Sequence, residues 1–218
     1  MMFQPEAIRA RVQELLSIEL DEEEARLLSR FAELLLKWNA TYNLTSITSS
    51  EEVIDLHLVD SLALVKYADK YLNGEKSVLD VGSGGGLPAI PLAIMRPELH
   101  ITMVDAVQKK TIFQRQAIAM CRLKNIEAVH ARVETIKNRQ FDLVTSRAFS
   151  SLSEMIRLTE HLLAPEGLWI AMKGKFPEKE IEDLPKNVRV RETMEVKNLN
   201  FERHLIVLEK FSSSIPSS

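Results

Sequence analysis

At 218 residues, 45% of them hydrophobic and 27% charged, the chain can bury one good core and a small appendage, so a single main domain is expected. Its lone cysteine, Cys121, excludes an internal disulfide and a zinc site built on several cysteines; no metal is expected, and the thiol reads as a buried structural group in a helical pattern. The formal net charge of −3 conceals an asymmetry, with 7 basic and 14 acidic side chains in residues 1–75 against 21 and 17 in residues 76–218. A local basic face, more than the total, sets the field that a phosphate-bearing ligand meets.

In chain order, residues 6–18 and 22–40 carry apolar side chains at helical spacing, with Leu27, Leu28, Phe31, Leu34, Leu35 and Trp38 forming one stripe. Asp21 with Glu24, and Ser49 with Glu52, have the spacing of capping boxes; the second predicts a helix running to about Asp69. Residues 1–75 therefore read as a helical extension. From residue 76 the pattern changes to short apolar runs at 76–81, 100–104, 126–130, 141–145 and 167–172, separated by helical segments, which predicts a parallel sheet within a core spanning 76–218. Val188 to Val196 alternates, Lys197 to Asn200 reads as a turn, and Phe201 to Phe211 is apolar and β-rich, predicting a closing antiparallel hairpin and seven strands in all. The polar tail Ser212 to Ser218 is expected to be disordered. No apolar run approaches the roughly 20 residues of a membrane helix, and the opening MMFQPEAIRARVQ lacks the apolar core of a secretory signal. A cytoplasmic location without a membrane partner is expected, and with no coiled-coil seam, a monomer.

The segment VLDVGSGGGLPAIPL, from Val78 to Leu92, sets Asp80 and then Gly82, Gly84, Gly85 and Gly86 before a helix start near Pro88. Glycine permits positive φ and close approach of backbone to ligand, so this strand–loop–helix is a candidate nucleotide-binding corner. A dinucleotide fingerprint would need glycine where Leu87 stands, and a P-loop would need Lys and then Ser or Thr after its last glycine, where Leu87 and Pro88 stand. The remaining pattern, D-x-G-x-G-x-G, resembles the first motif of S-adenosylmethionine-dependent methyltransferases with a Rossmann-like core, which implies cofactor contacts at Gly82, Gly84 and Gly86. Asp105, about 20 residues on at the end of the second strand, fits a ribose hydroxyl acceptor or a cap for the helix near Gln108. Val133 and Glu134, after the third strand, fit an adenine contact; Glu134 fits a first-turn helix acid equally well.

After the fourth strand, Ser146-Arg147-Ala148-Phe149 puts a basic and an aromatic residue at the reaction edge. Absent there is the Asn or Asp followed by two prolines and an aromatic that exocyclic-amine methyltransferases use, and Cys121 is not at a strand edge where a pyrimidine C5 nucleophile belongs. A ring nitrogen with a free lone pair is compatible with both absences.

Nearly the whole chain resembles the bacterial 16S ribosomal RNA guanine-N7 methyltransferases once called glucose-inhibited division protein B. The resemblance rests on the order of Trp38 to Thr45, His57 to Leu62, the glycine loop with Leu87-Pro88, Arg132-Val133-Glu134, Ser146 to Phe149 and Lys173-Gly174. It implies a Rossmann-like class I methyltransferase of α/β fold, with a mostly parallel seven-stranded sheet, a C-terminal antiparallel hairpin and an N-terminal helical extension. It also implies methyl transfer from S-adenosylmethionine to N7 of a guanosine in small-subunit rRNA near the decoding region, with 16S rRNA or the small subunit as partner. Gly82, Leu87, Val133, Glu134 and Arg147 match the cofactor positions. The chain departs from the family pattern at Ala89, usually glycine, and at Leu56, commonly arginine, which removes one possible phosphate contact.

The mechanism expected on this resemblance is in-line attack by the N7 lone pair on the sulfonium methyl, with no proton for a base to remove. Orientation, which can supply roughly 7 to 11 kcal/mol, and management of the migrating positive charge become the catalytic tasks, and no unique catalytic residue is expected. Arg147 would position cofactor or nucleotide, since its guanidinium stays charged at any working pH. Asn39, Asn43, Thr45, His57 and Asp60 are candidates to shape a base pocket, although the two asparagines also suit a helix end and His57 also suits a packing role. Lys109, Lys110, Arg115, Lys173 and Lys175 are candidate phosphate contacts or ordinary surface charge. Two other readings stay open: a methyltransferase acting on a small molecule or protein, and a noncatalytic RNA-binding module.

Overall fold

The computed structural model describes residues 3–147, 149, 151–197 and 199–211. The tail from Ser212 to Ser218, Ala148 at the fourth-strand edge and Asn198 of the predicted turn lie outside the described residues.

Helix α1 (Pro5–Leu16) starts on a proline, whose fixed φ suits a first helical turn, and stops at Ser17, left-handed at φ 54°. In α2 (Glu22–Tyr42) the Asp21 carboxylate accepts from the Glu24 amide at 2.7 Å while the Glu24 carboxylate accepts from the Asp21 amide at 2.8 Å, the reciprocal box that the spacing predicts. Only half of the second box forms. Ser49 Oγ accepts from the Glu52 amide, but the hydroxyl donates to the Glu52 carboxylate, which therefore does not reach the Ser49 backbone. The helix it starts is also not uniform: α3 (Ser50–Val53) passes into a π-helical turn, Ile54–Val59, before α4 (Asp60–Tyr67) and the short α5 (Asp69–Leu72). A π-turn inserts a residue and rotates the rest of the helix about its axis, a change that side-chain periodicity over so short a stretch does not reveal. It carries His57 and leads directly to Asp60.

The sheet comprises β1 (Ser77–Val81), β2 (His100–Asp105), β3 (Ile126–His130), β4 (Phe141–Ser146), β5 (Leu163–Lys173), β6 (Val188–Glu195) and β7 (His204–Lys210). Their order is β3-β2-β1-β4-β5-β7-β6; the first five are mutually parallel, and β7 runs antiparallel between β5 and β6. The helices between the strands are α6 (Ala89–Met95), α7 (Gln108–Cys121), α8 (Leu152–Thr159) and α9 (Glu178–Glu182). Strand side chains alternate between faces, and the two hydrophobic clusters divide by that period. Val78, Met103, Leu143 and Ile170 belong to one cluster, whereas their chain neighbours Leu79, Val104, Val144 and Trp169 belong to the other.

The first cluster is continuous with the N-terminal helices: Phe3, Leu28, Phe31 and Leu35 are buried together with Ile90 and Phe113. Trp38 meets Phe113 edge-on at 5.7 Å, and Phe31 lies 6.4 Å from the same ring. Cys121 is buried, and loss of solvent pushes its thiol up to about 11, consistent with a structural role. In β6, on the outer edge, exposed Arg189, Arg191 and Glu195 alternate with less exposed positions, and such charges discourage pairing with another strand.

Candidate active site

The strand order reverses between β1 and β4, and the carboxyl ends of these strands part there into a crevice, the usual ligand position of open α/β sheets. Gly82, Gly84 and Gly86 have φ of 70°, 53° and 75°, a conformation that side-chain-bearing residues rarely adopt. At Gly86 a Cβ would run into the Ile90 side chain, whereas at Gly84 the nearest atom to a built Cβ is the Gly82 carbonyl at 3.8 Å. Gly86 thus serves packing, and Gly84 leaves space. Replacing Gly86 with alanine is expected to cost about 1–3 kcal/mol from φ strain and overlap, more than Gly84→Ala costs; calorimetric thermal midpoints of the two variants check the order.

The loop's own hydrogen bonds narrow its ligand. Gly82 and Ser83 amides donate to Val104 O, Gly86 and Leu87 amides to Ser83 O, and the Gly84 amide to Asp105 Oδ2. With five of the six amides from Gly82 to Leu87 held this way, the loop has little left to cradle a pyrophosphate. It suits a ligand that needs close backbone approach without phosphate recognition.

Two carboxylates flank this loop. Asp105 accepts from the Gly84 and Val107 amides at 2.9 Å each, with Lys110 Nζ 3.9 Å away, so it ties the loop to the residue before α7. Val107, not Asp105, is the N-cap and no side chain caps that helix, which leaves Asp105 as the candidate ribose acceptor. Asp80 is fully buried, and neither of its carboxylate oxygens has a hydrogen-bond partner among the described residues. Burial pushes its acid up to about 7, the nearby Ser83 hydroxyl and Arg147 partly opposing and Asp105 adding to the shift. An orphaned buried carboxyl is costly unless a cationic or donor group meets it. Gln114, which sequence reasoning did not single out, donates to Gly84 O at 2.9 Å and leaves its own buried Oε1 without a partner among the described residues.

A mainly apolar cavity of about 240 Å³ continues from this corner, lined by Gly82, Asp105, Val133, Glu134 and also by Phe149 and Leu158. Four of the eight candidate cofactor residues therefore meet in one cleft. Val133 is buried in its wall and Glu134 is exposed at its rim, 3.8 Å from exposed Arg132. Gly84 stands beside the cleft through Asp105. Leu87 is buried in the core cluster, and Arg147 turns away toward the N-terminal helices.

There Arg147 joins a buried polar network. Its guanidinium donates to Asp60 Oδ2 at 2.9 Å and to Leu56 O at 3.2 Å, and Arg203 holds the same carboxylate at 2.5 and 2.9 Å. Asp60 is wholly buried between the two. His57 Nε2 lies 2.9 Å from Thr45 Oγ1, and its Nδ1 lies 3.0 Å from Leu56 O and 3.4 Å from Arg147. Desolvation and then the Arg147 charge lower the imidazole to about 4, so the ring is neutral at neutral pH; an Nδ1–H tautomer donates to Leu56 O and leaves Nε2 to accept from Thr45. Asn39 closes the chain of contacts, accepting from the Thr45 amide at 2.8 Å and donating to Ile47 O at 2.9 Å.

Asn39, Thr45, His57, Asp60 and Arg147 are thus assembled side by side. Asn43 stands apart, exposed at φ 49° as the left-handed end of α2, its amide on Asn39 O. Lys173 lies at the carboxyl end of β5, 2.7 Å from Glu180, and donates to Phe149 O at 3.4 Å, so it borders the cleft from the other side. Glu180 also accepts from the Leu152 amide, which fixes the entry to α8. Arg115 donates to Ala128 O, while Lys109 and Lys175 are exposed. Arg203 escapes sequence reasoning, because an arginine entering a hairpin strand gives no local sign of a carboxylate 143 residues away. Among the described residues no group of three or more His, Cys, Asp or Glu could hold a metal ion, and no helix is long and apolar enough to cross a membrane.

Solved structures show the same fold. TrmN from Thermus thermophilus superposes with a TM-score of 0.56 at 22% identity, covering 71% of this chain and 49% of that one. MtNAS in complex with MTA and tNA superposes at 0.60 with 12% identity, covering 95% and 76%. Sequence relatives are nearer. A Ribosomal RNA small subunit methyltransferase G from Chromobacterium violaceum is 48% identical over 194 residues, 88% of this chain and 91% of the relative. Another, from Laribacter hongkongensis, is 45% identical over 206 residues, covering 93% and 97%. The family model for rRNA small subunit methyltransferase G matches residues 24–206, a span containing both the glycine-loop cleft and the Asp60 network, and the chain belongs to that family.

Proposed function

We propose that the protein transfers a methyl group from S-adenosylmethionine to N7 of a guanosine in small-subunit ribosomal RNA. One observation carries this reading. The family match spans residues 24–206, a stretch that includes the cofactor corner and the polar network next to it, which supports reading the two as cofactor side and acceptor side.

The residues present fit that cofactor. Asp80, the orphaned carboxyl behind the glycine loop, suits the ammonium of the methionine moiety; Asp105 suits the ribose hydroxyls, and Val133, Phe149 and Leu158 offer apolar contact to a purine face. A loop whose amides are already engaged suits a nucleoside without phosphate. When bound, S-adenosylmethionine supplies an electrophilic methyl on a sulfonium, which the N7 lone pair of guanine can accept.

The chain itself contributes positioning. Asp60 locks Arg147 and Arg203 in place beside the cleft, and a guanidinium so fixed suits an anionic group of the nucleotide without reorganising. His57 stays neutral, matching a reaction in which N7 carries no proton to remove. The helical segment 1–75 brings Asn39, Thr45 and His57 to the edge of the core 76–218, and we assign it the shaping of the acceptor pocket.

The test is transfer of labelled methyl to small subunits and to their stripped rRNA, both lacking the modification, followed by cleavage mapping of N7-methylguanosine. Label confined to one guanosine is the expected result. Cofactor binding with no label in either RNA would shift the assignment to a small-molecule or protein acceptor.

A further inference from the structure

The amino ends of the parallel strands, opposite the cofactor cleft, carry a second concave surface. A cavity of about 430 Å³ lies between the first half of α2, the carboxyl end of α6 and the turn from α7 to β3. A neighbouring hollow of about 410 Å³ runs on beneath β2 and β3, and the two share Lys124 and Asn125 as a common wall. The result is a groove along the sheet edge.

Its charge is one-sided. Arg26, Arg30, Arg122 and Lys124 line the first cavity against one carboxylate, Glu23, which is bound to Arg26. The second adds Arg139 against Glu127, and these two are paired at 2.6 Å. Both carboxylates are therefore taken, while Arg30, Arg122 and Lys124 have no ion pair among the described residues. The frame beneath them is fixed. Asn125 Nδ2 donates to Ala93 O and Arg96 O at 3.1 Å each, pinning the turn to the last carbonyls of α6. Arg122 is the left-handed end of α7 at φ 54°, its amide on Ala119 O.

A row of uncommitted cations along an elongated, preformed groove matches a chain of phosphates better than a single small anion. We propose that this groove binds the phosphodiester backbone of the rRNA substrate, as a second contact remote from the methylated base. This rests on the rRNA reading above and adds a requirement to it. At about 3.3 Å per residue, strands of five or six residues put the two edges some 15–20 Å apart. Only an extended or folded RNA reaches both, so a short hairpin carrying the target guanosine lacks this contact and full-length rRNA makes it.

The test neutralises the three cations together, as R30Q/R122Q/K124Q, beside a control with equal charge loss at exposed positions elsewhere, R9Q/K179Q/K186Q. Each phosphate contact removed takes about 0.7–0.9 from the salt slope, so the groove variant should bind full-length rRNA with a log K against log salt slope shallower by about 2, the control with an unchanged slope. The KM for full-length rRNA should rise about tenfold in the groove variant alone, with S-adenosylmethionine Kd and the KM for the short hairpin unchanged. Equal effects in both triple variants, or none in either, would overturn the groove assignment while leaving wild-type methylation, and the function it supports, untouched. Failure of the wild type to methylate rRNA at all would instead remove the reading on which the groove depends.

Discussion

Substituting Asp60 with alanine should lower the thermal midpoint by roughly 10 °C. The carboxylate is wholly buried and accepts three hydrogen bonds of 2.5–2.9 Å, one from Arg147 and two from Arg203. Removing it leaves two guanidiniums facing each other in a desolvated site, and breaking a buried ion pair from one side typically costs about 3–5 kcal/mol. For a chain of this size each kcal/mol moves the midpoint by about 2–4 °C. Scanning calorimetry of Asp60→Ala and Asp60→Asn checks the expectation. The asparagine variant, which keeps an acceptor and loses the charge, should fall between wild type and alanine; a shift below about 2 °C for alanine would show that the network does not fasten the helical segment to the core.

Asp80→Asn should act in opposite directions on stability and on binding. The folded acid sits at about 7 because burial disfavours its charge, against an ordinary carboxyl near 3.8 in the unfolded chain. Between those values the unfolded state has lost a proton that the folded state keeps, so wild-type stability falls as pH rises from about 4 to about 7 and is level above that. Asparagine, a neutral isostere, escapes the loss. Thermal midpoints of ligand-free protein should therefore favour Asp80→Asn by several degrees at pH 8 and converge with wild type near pH 4. Binding should move the other way: without a carboxylate for the methionine ammonium, affinity for S-adenosylmethionine should fall about 100-fold. In the wild type that affinity should weaken as pH drops below 7, because Asp80 must release a proton to meet the ammonium, the more distant charges of Arg147 and Asp105 acting on it in opposite directions. Calorimetric titration at pH 6 and pH 8 reads both effects, and a pH-independent affinity would detach Asp80 from the cofactor.

The sheet was legible because its signals are local. Val78 to Asp80 and His100 to Asp105 are short apolar runs between turn residues, and the D-x-G-x-G-x-G spacing placed the glycines where positive φ is in fact required. The Asp21 box was legible for the same reason. The extent of β5 was not: it begins at Leu163, four residues before the apolar run at 167–172, because pairing with β4 extends it across Pro165 and Glu166, which no local pattern would assign to a strand. The π-turn at Ile54–Val59 was likewise hidden, since one inserted residue barely disturbs a helical apolar pattern. At the site, residue types could nominate Asp105 and Val133, but the different tasks of Gly84 and Gly86 depend on what lies over each. Gln114 and Arg203 stayed out of reach because each acts on a partner distant in sequence, Gly84 in one case and Asp60 in the other.

The place of β7 bears on how the molecule comes into being. This last strand lies inside the sheet, between β5 and β6, and the arginine just before it supplies half of the clamp on Asp60. As a nascent chain leaves the ribosome from its amino end, β6 emerges with no neighbour to pair with, and Asp60 waits beside a single guanidinium. Both are completed by the same final segment. A chain halted before residue 200 would have its glycine loop and cleft strands already made, yet would lack the strand that pairs with β6 and the second guanidinium on Asp60, so neither is completed until residues 203–210 have been made.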